Sequence, residues 1–137
     1  MSAEVAATAV YLDSSAIVKL AVRERESESL RRHLRRRRVW VSSAIARTEV
    51  LRALIPAGAD ALQGGREILS KCDLVRVNDR VLNAAGILQP NELRSLDAIH
   101  LATAQLIGAD LVELVTYDDR MADAARMLGH RVASPTH

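Results

Sequence analysis

The chain has 137 residues and a formal net charge of +2, enough for one domain that buries about two-thirds of its unfolded surface without staples, and too little charge to imply a nucleic-acid partner by itself. Its single cysteine, Cys72, excludes an internal disulfide and a cysteine-rich zinc site, and no apolar run approaches the roughly 20 residues that span a bilayer. Phe is absent and Tyr11, Trp40 and Tyr117 are the only aromatics, which argues against a base-stacking platform and requires an aliphatic core.

Residues 1 to 8 are small and unpatterned, lack the basic-then-apolar order of a signal peptide, and read as a loose leader of a soluble cytoplasmic protein. Ala9 to Leu12 predicts a strand that ends at Asp13, after which Ser14 or Ser15 begins a helix with Ile17, Leu20 and Ala21 on its inner side. Arg23 to Glu28 is charged and exposed. Ser29 to Arg38 predicts a surface helix whose apolar stripe is Leu30 and Leu34. Val39-Trp40-Val41 is a second strand; Ser42 or Ser43 caps a helix from Ala44 to Leu54 with Ile45, Val50, Leu51 and Leu54 as its core positions, and Pro56-Ala57-Gly58 ends it. The helix from about Asp60 to Lys71 is weakened by Gly64-Gly65, since an interior glycine costs about 1 kcal/mol relative to alanine.

Leu74 to Val77 alternates as a third strand, and Asn78 or Asp79 caps a helix through Val81, Leu82 and Ala85. After a turn at Gln89-Pro90-Asn91, Ser95 is placed to cap the strongest helix of the chain, Leu96 to Ile107, which Gly108 stops. Leu111 to Thr116 is a fourth strand, Arg120 to Leu128 a last helix, and Arg131 to Ala133 a final short strand. Strands alternating with helices, with no linker or repeat, predict a single α/β domain spanning residues 1 to 137 with a mostly parallel sheet between helical layers.

Four carboxylates stand out on that frame. Asp13 and Asp118 follow strands, where open α/β sheets bind ligands. Glu49 and Asp97 sit inside otherwise apolar helices. Any one of them alone reads as a partly exposed acid paired with an arginine such as Arg52 or Arg94. Together they repel unless something positive lies among them. An all-oxygen set without clustered His or Cys favours Mg²⁺ or Mn²⁺ over zinc.

The segments Tyr11-Leu12-Asp13-Ser14-Ser15-Ala16, Ser42 to Val50 around Glu49, Leu96-Asp97-Ala98-Ile99-His100-Leu101-Ala102-Thr103-Ala104 and Val115-Thr116-Tyr117-Asp118 closely resemble the PIN-domain ribonucleases, and more narrowly the toxins of VapBC toxin-antitoxin pairs. The resemblance covers Val10 to Val132. It implies an α/β/α sandwich of about five strands in the order 3-2-1-4-5, metal-dependent cleavage of RNA, a homodimer, and inhibition by a small VapB-like antitoxin. The family's three most characteristic acids fall on Asp13, Glu49 and Asp97 and its more variable fourth on Asp118, as catalytic residues and as ligands of Mg²⁺ or Mn²⁺. Asp119 is the rival for the fourth position and reads otherwise as the cap of the last helix. Ser14 and Thr116 match hydroxyl positions near the metal, with helix capping and turn formation as their ordinary roles.

The arginines from Arg31 to Arg38 read as a solvated face, as phosphate contacts through residues such as Arg35 and Arg36, or as a dock for an acidic antitoxin segment. Arg94 is open in the same way: it can pair with Asp97 at i+3 or touch RNA. His100 reads as a packing or surface histidine, and His33 and His130 have no convergent partners in the sequence. The competing function is a catalytically silent α/β module that binds RNA or a partner protein. A receiver domain is disfavoured because no lysine follows Lys71, and a haloacid-dehalogenase-type phosphatase because Ser15 stands where a second aspartate belongs.

Overall fold

Strand β1 (Ala9–Leu12) is apolar at every position because both its faces are covered: Val10 and Leu12 pack on one side and Ala9 and Tyr11 on the other. Around it lie β2 (Val39–Ser43), β3 (Cys72–Val75), β4 (Leu111–Val115) and β5 (Val132–Ala133), all paired in parallel in the order β3-β2-β1-β4-β5. This is the expected order. The computed structural model describes residues 9–136, and the leader expected over residues 1 to 8 lies outside them.

Seven helices flank the sheet among the described residues: α1 (Ser14–Ala21), α2 (Ser27–Leu34), α3 (Ala46–Leu54), α4 (Ala59–Ser70), α5 (Asp79–Gly86), α6 (Ser95–Ile107) and α7 (Asp119–Met127). Ile17, Leu20, Leu30, Leu34, Val50, Leu54 and Leu69 carry α1 to α4 onto the Val10 face, and Leu101, Ala104, Met121 and Ala125 carry α6 and α7 onto the Tyr11 face. No helix among the described residues is long and apolar enough to cross a membrane.

Several local expectations are corrected. The second helix begins at Ser27 rather than Ser29, because the buried Ser27 Oγ donates to Val22 O and accepts from Glu24 N, and it ends at Leu34, four residues short of Arg38. Ser42 and Ser43 do not start a helix: both are buried in β2, and α3 opens two residues later than expected, with no side-chain cap. Ser95 is likewise the first residue of α6 and not its cap. The third strand is Cys72–Val75, shifted two residues towards the N-terminus because its register is set by β2, with Trp40 opposite Cys72. Asn78 caps α5 as expected, accepting from Val81 N. Other ends move by a residue or so.

The Gly64-Gly65 pair is a packing requirement and not a weakness. A Cβ on Gly64 would stand 2.8 Å from the Ala21 carbonyl oxygen, and one on Gly65 would stand 2.6 Å from Leu54 Cδ1, so α4 reaches α1 and α3 only because these positions lack side chains. Gly64→Ala should therefore lower stability by roughly 1–3 kcal/mol despite alanine's better helix propensity, because a backbone oxygen cannot move aside cheaply. A thermal melt at or above the wild-type midpoint would remove this account.

Candidate active site

Parallel pairing puts the carboxyl ends of β1 and β4 together, and the site is built there. Asp13 N donates to Val115 O at 3.2 Å, so the residues that follow the two strands are neighbours. Asp13 is 3% exposed and caps α1, its Oδ1 accepting from Ala16 N at 3.0 Å and from Ser15 Oγ at 2.6 Å. Oδ2 accepts from the buried Thr116 Oγ1 at 2.5 Å. Asp13, and not Ser14 or Ser15, thus caps α1 while keeping its carboxylate at the mouth of the sheet. Burial raises its pKa, and the donations from Ser15, Thr116 and Ala16 offset this only in part.

The other acids also sit at helix starts: Glu49 and Asp97 in the first turns of α3 and α6, and Asp118 as the cap of α7. The partial positive charge of those termini favours carboxylates there. Asp118 Oδ1 accepts from Arg120 N at 2.9 Å and Met121 N at 3.3 Å, so the capping role expected of Asp119 belongs to Asp118, and Asp119 is the exposed first residue of the helix.

Electrostatics tie the four together. The pKa of half-buried Asp97 is raised by desolvation first and then by the charge of Asp118, with Asp13 and Glu49 adding to it. For Glu49, burial acts upwards, but the hydrogen bonds from His100 and Ser14 outweigh it, and the net shift is downwards. Ser14 Oγ donates to Glu49 Oε1 at 2.7 Å, so Ser14 serves Glu49 while Thr116 serves Asp13. Ser15, expected only as a possible helix start, is the second hydroxyl on Asp13 and also accepts from Tyr117 N at 2.9 Å.

The donor set fits a divalent cation in its chemistry. Asp13, Asp97 and Asp118 form no ion pair with Lys, Arg or His among the described residues. Asp97 accepts no hydrogen bond there, and Glu49 Oε2 and Asp118 Oδ2 are likewise free. Uncompensated carboxylates whose charges add to burial in raising the proton affinity of Asp97 call for a hard cation. As placed, no three His, Cys, Asp or Glu side chains among the described residues stand close enough to hold one ion. The acids ring the end of the sheet without closing on a point.

His100, read from the sequence as a packing or surface histidine, is packed, and it also makes hydrogen bonds the sequence did not reveal. It is 1% exposed, with Nε2 2.7 Å from Glu49 Oε1 and Nδ1 2.7 Å from Tyr11 Oη. The available signal was its spacing of three residues from Asp97, which puts both on neighbouring faces of α6.

The arginines fall elsewhere. Arg94 is exposed at the cap of α6 and makes no ion pair with Asp97 among the described residues. Arg35 and Arg36 are exposed before β2, at the amino end of the sheet; Val39 pairs with Ala9, so they lie more than roughly 13 Å from Asp13 along the strands. Arg35 meets Glu28 at 3.7 Å. Arg37 and His33 converge instead on the buried Glu113, at 3.7 Å and 2.5 Å, giving His33 a partner the sequence did not reveal.

Beside the acids, a cavity of about 480 Å³ is lined by Ser14, Ser15, Lys19, Glu24, Glu49 and Tyr117, among others. Lys19 Nζ is held by Glu24 at 3.1 Å and Glu26 at 2.5 Å and lies 5.2 Å from the centre of the Tyr117 ring.

Residues 10–127 match the PIN domain model. The chain is 62% identical over 128 residues to Ribonuclease VapC46 of Mycobacterium tuberculosis, covering 93% of this chain and 98% of that one. It is 40% identical over 131 residues to Ribonuclease VapC35 of the same species, covering 92% and 96%. Among solved structures, the fold is similar to a chain of a toxin-antitoxin complex from Klebsiella pneumoniae, with a TM-score of 0.69, 24% identity and 92% and 97% coverage. It is similar also to M. tuberculosis VapC20, a sarcin-ricin loop cleaving toxin, with a TM-score of 0.71, 16% identity and 84% and 94% coverage. The PIN match over most of the chain and the identity to these ribonucleases place the protein in the PIN-domain family, among the VapC ribonucleases.

Proposed function

We propose that the chain acts as a single-domain, metal-dependent endoribonuclease toxin, with Asp13, Glu49, Asp97 and Asp118 holding one or two Mg²⁺ or Mn²⁺ ions. The carrying observation is the set of free carboxylate oxygens on four acids at one end of the sheet, where Asp13, Asp97 and Asp118 form no ion pair among the described residues and burial and the charges of the other three raise the pKa of Asp97. When bound, a divalent ion supplies a water of lowered pKa and charge stabilisation at a phosphodiester. The protein's part is positional. Thr116 and Ser15 orient Asp13, Ser14 and His100 orient Glu49, and four helix starts supply a fixed positive field.

The cavity beside Glu49 gives the RNA chain a place next to the acids, with Lys19 as a cation in its wall. Exposed Arg94, three residues before Asp97, is suited to an adjoining phosphate or to an antitoxin side chain. Contacts from Arg35 or Arg36 would involve parts of the RNA or antitoxin distant from the scissile bond. An RNA substrate and an antitoxin are consistent with the names of the relatives; a VapB-like antitoxin, a homodimer and a cytoplasmic location complete the proposal, as the family resemblance implies.

Incubating the purified protein with total RNA and mapping new ends tests this directly. Cleavage at discrete positions with Mg²⁺ or Mn²⁺ and its loss with chelator are expected. Undiminished cleavage in chelator would overturn the metal role, and no cleavage under any metal would favour the silent binding module.

A further inference from the structure

We infer that His100 is a positioning residue for Glu49: anchored to Tyr11 at Nδ1, it donates from Nε2 to Glu49 Oε1 and so holds that carboxylate ready, with Oε2 free, for a divalent cation. The inference rests on Glu49 being a metal ligand. His100 is surrounded along α6 by buried Ala98, Leu101, Ala102 and Ala104, where an imidazole is costly unless its nitrogens are paired. Both are. An ionised carboxylate only accepts, so Nε2 carries the hydrogen at the 2.7 Å contact with Glu49. In the neutral ring Nδ1 is then bare and accepts from the Tyr11 hydroxyl at 2.7 Å.

Tyr11 is rigidly held. It lies in β1, fully buried, two residues before Asp13, and its ring meets the imidazole edge-on with centroids 5.8 Å apart at 82°. The strand that delivers Asp13 therefore also sets the ring that orients Glu49. Ser14, the residue after Asp13, adds the second donor on the same Oε1, so the Glu49 carboxylate is fixed from two elements while its other oxygen is left unclaimed. Hydrogen-bonded supports of this kind, one shell behind a ligand, usually change metal affinity by about 10–100-fold.

The test uses Mn²⁺ alone as probe, titrated into the full chain after metal removal and read by electron paramagnetic resonance. Glu49→Gln and His100→Leu are each expected to weaken Mn²⁺ affinity by about 10-fold or more. His100→Gln, whose amide N–H reaches about as far as Nε2, should restore most of it. Wild-type affinity in folded His100→Leu, or a His100→Gln variant that folds but binds as weakly as His100→Leu, overturns the positioning role. Wild-type affinity in Glu49→Gln instead removes the ligand reading beneath it. Imidazole ¹⁵N chemical shifts of the metal-free wild type give a check that needs no variant: a protonated Nε2 on His100 is expected, and a bare Nε2 overturns the proposal.

Discussion

Asp13→Asn should reduce RNA cleavage by about 10³-fold or more, corresponding to the several kcal/mol that metal-held charge contributes to a phosphoryl-transfer barrier. The substitution isolates charge from architecture. Asn keeps an oxygen to accept from Ala16 N and Ser15 Oγ, so the α1 cap survives. Thr116 Oγ1, which donates to Oδ2, can turn to accept from the amide instead. Because burial raises the pKa of Asp13, the metal-free variant should be as stable as the wild type or more so. Activity lost with the melting midpoint kept is the expected pair of results; cleavage within a few-fold of wild type would remove Asp13 from the site.

The second large effect concerns stability. Burial holds the folded-state pKa of Asp13 above its ordinary 3.8, and burial together with Asp118 does the same for Asp97. A folded state that binds protons more tightly than the unfolded chain gains stability as pH falls. Metal-free protein is therefore expected to become less stable as pH rises from about 4 through those raised values. Glu49 behaves oppositely: with its lowered pKa its stabilisation is fully present above its ordinary 4.5 and is lost only as pH falls below it, so the aspartates set the slope above that. A divalent ion bound to the ionised acids reverses the slope. At a hundredfold excess over its Kd, Mn²⁺ should add about 2.7 kcal/mol, roughly 10 °C in Tm for a chain of this size. Melts in chelator and in Mn²⁺ that coincide at neutral pH would mean the acids hold no ion.

Residue pattern and spacing carried much of this molecule. The apolar run Val10 to Leu12 ending in Asp13 specified a strand buried on both faces with a carboxylate at its mouth, because parallel central strands leave no solvent side for alternation. The alternation of strands and helices specified the layers, and the four acid-bearing segments specified the family. What failed were features set between elements. Ser27 begins its helix with a bond back to Val22 O, and Ser42 and Ser43 are drawn into β2 by pairing with β3, so α3 starts two residues later without a side-chain cap. Gly64 read as a flaw because its neighbour, the Ala21 carbonyl, is 43 residues away.

The site divides in the same way. The sequence by itself singled out four carboxylates as candidates for one chemistry, since uncompensated acids at strand ends and on apolar helices have few other uses. Only the tertiary structure decided who supports them. Tyr11, His100, Ser14 and Glu49 come from β1, α6, α1 and α3, and their hydrogen bonds join positions up to 89 residues apart. No periodicity encodes such a meeting. The same holds for the arginines: sequence showed their density, but the parallel register that sends Arg35 and Arg36 to the amino end of the sheet, away from Asp13, exists only once β1 and β2 are paired.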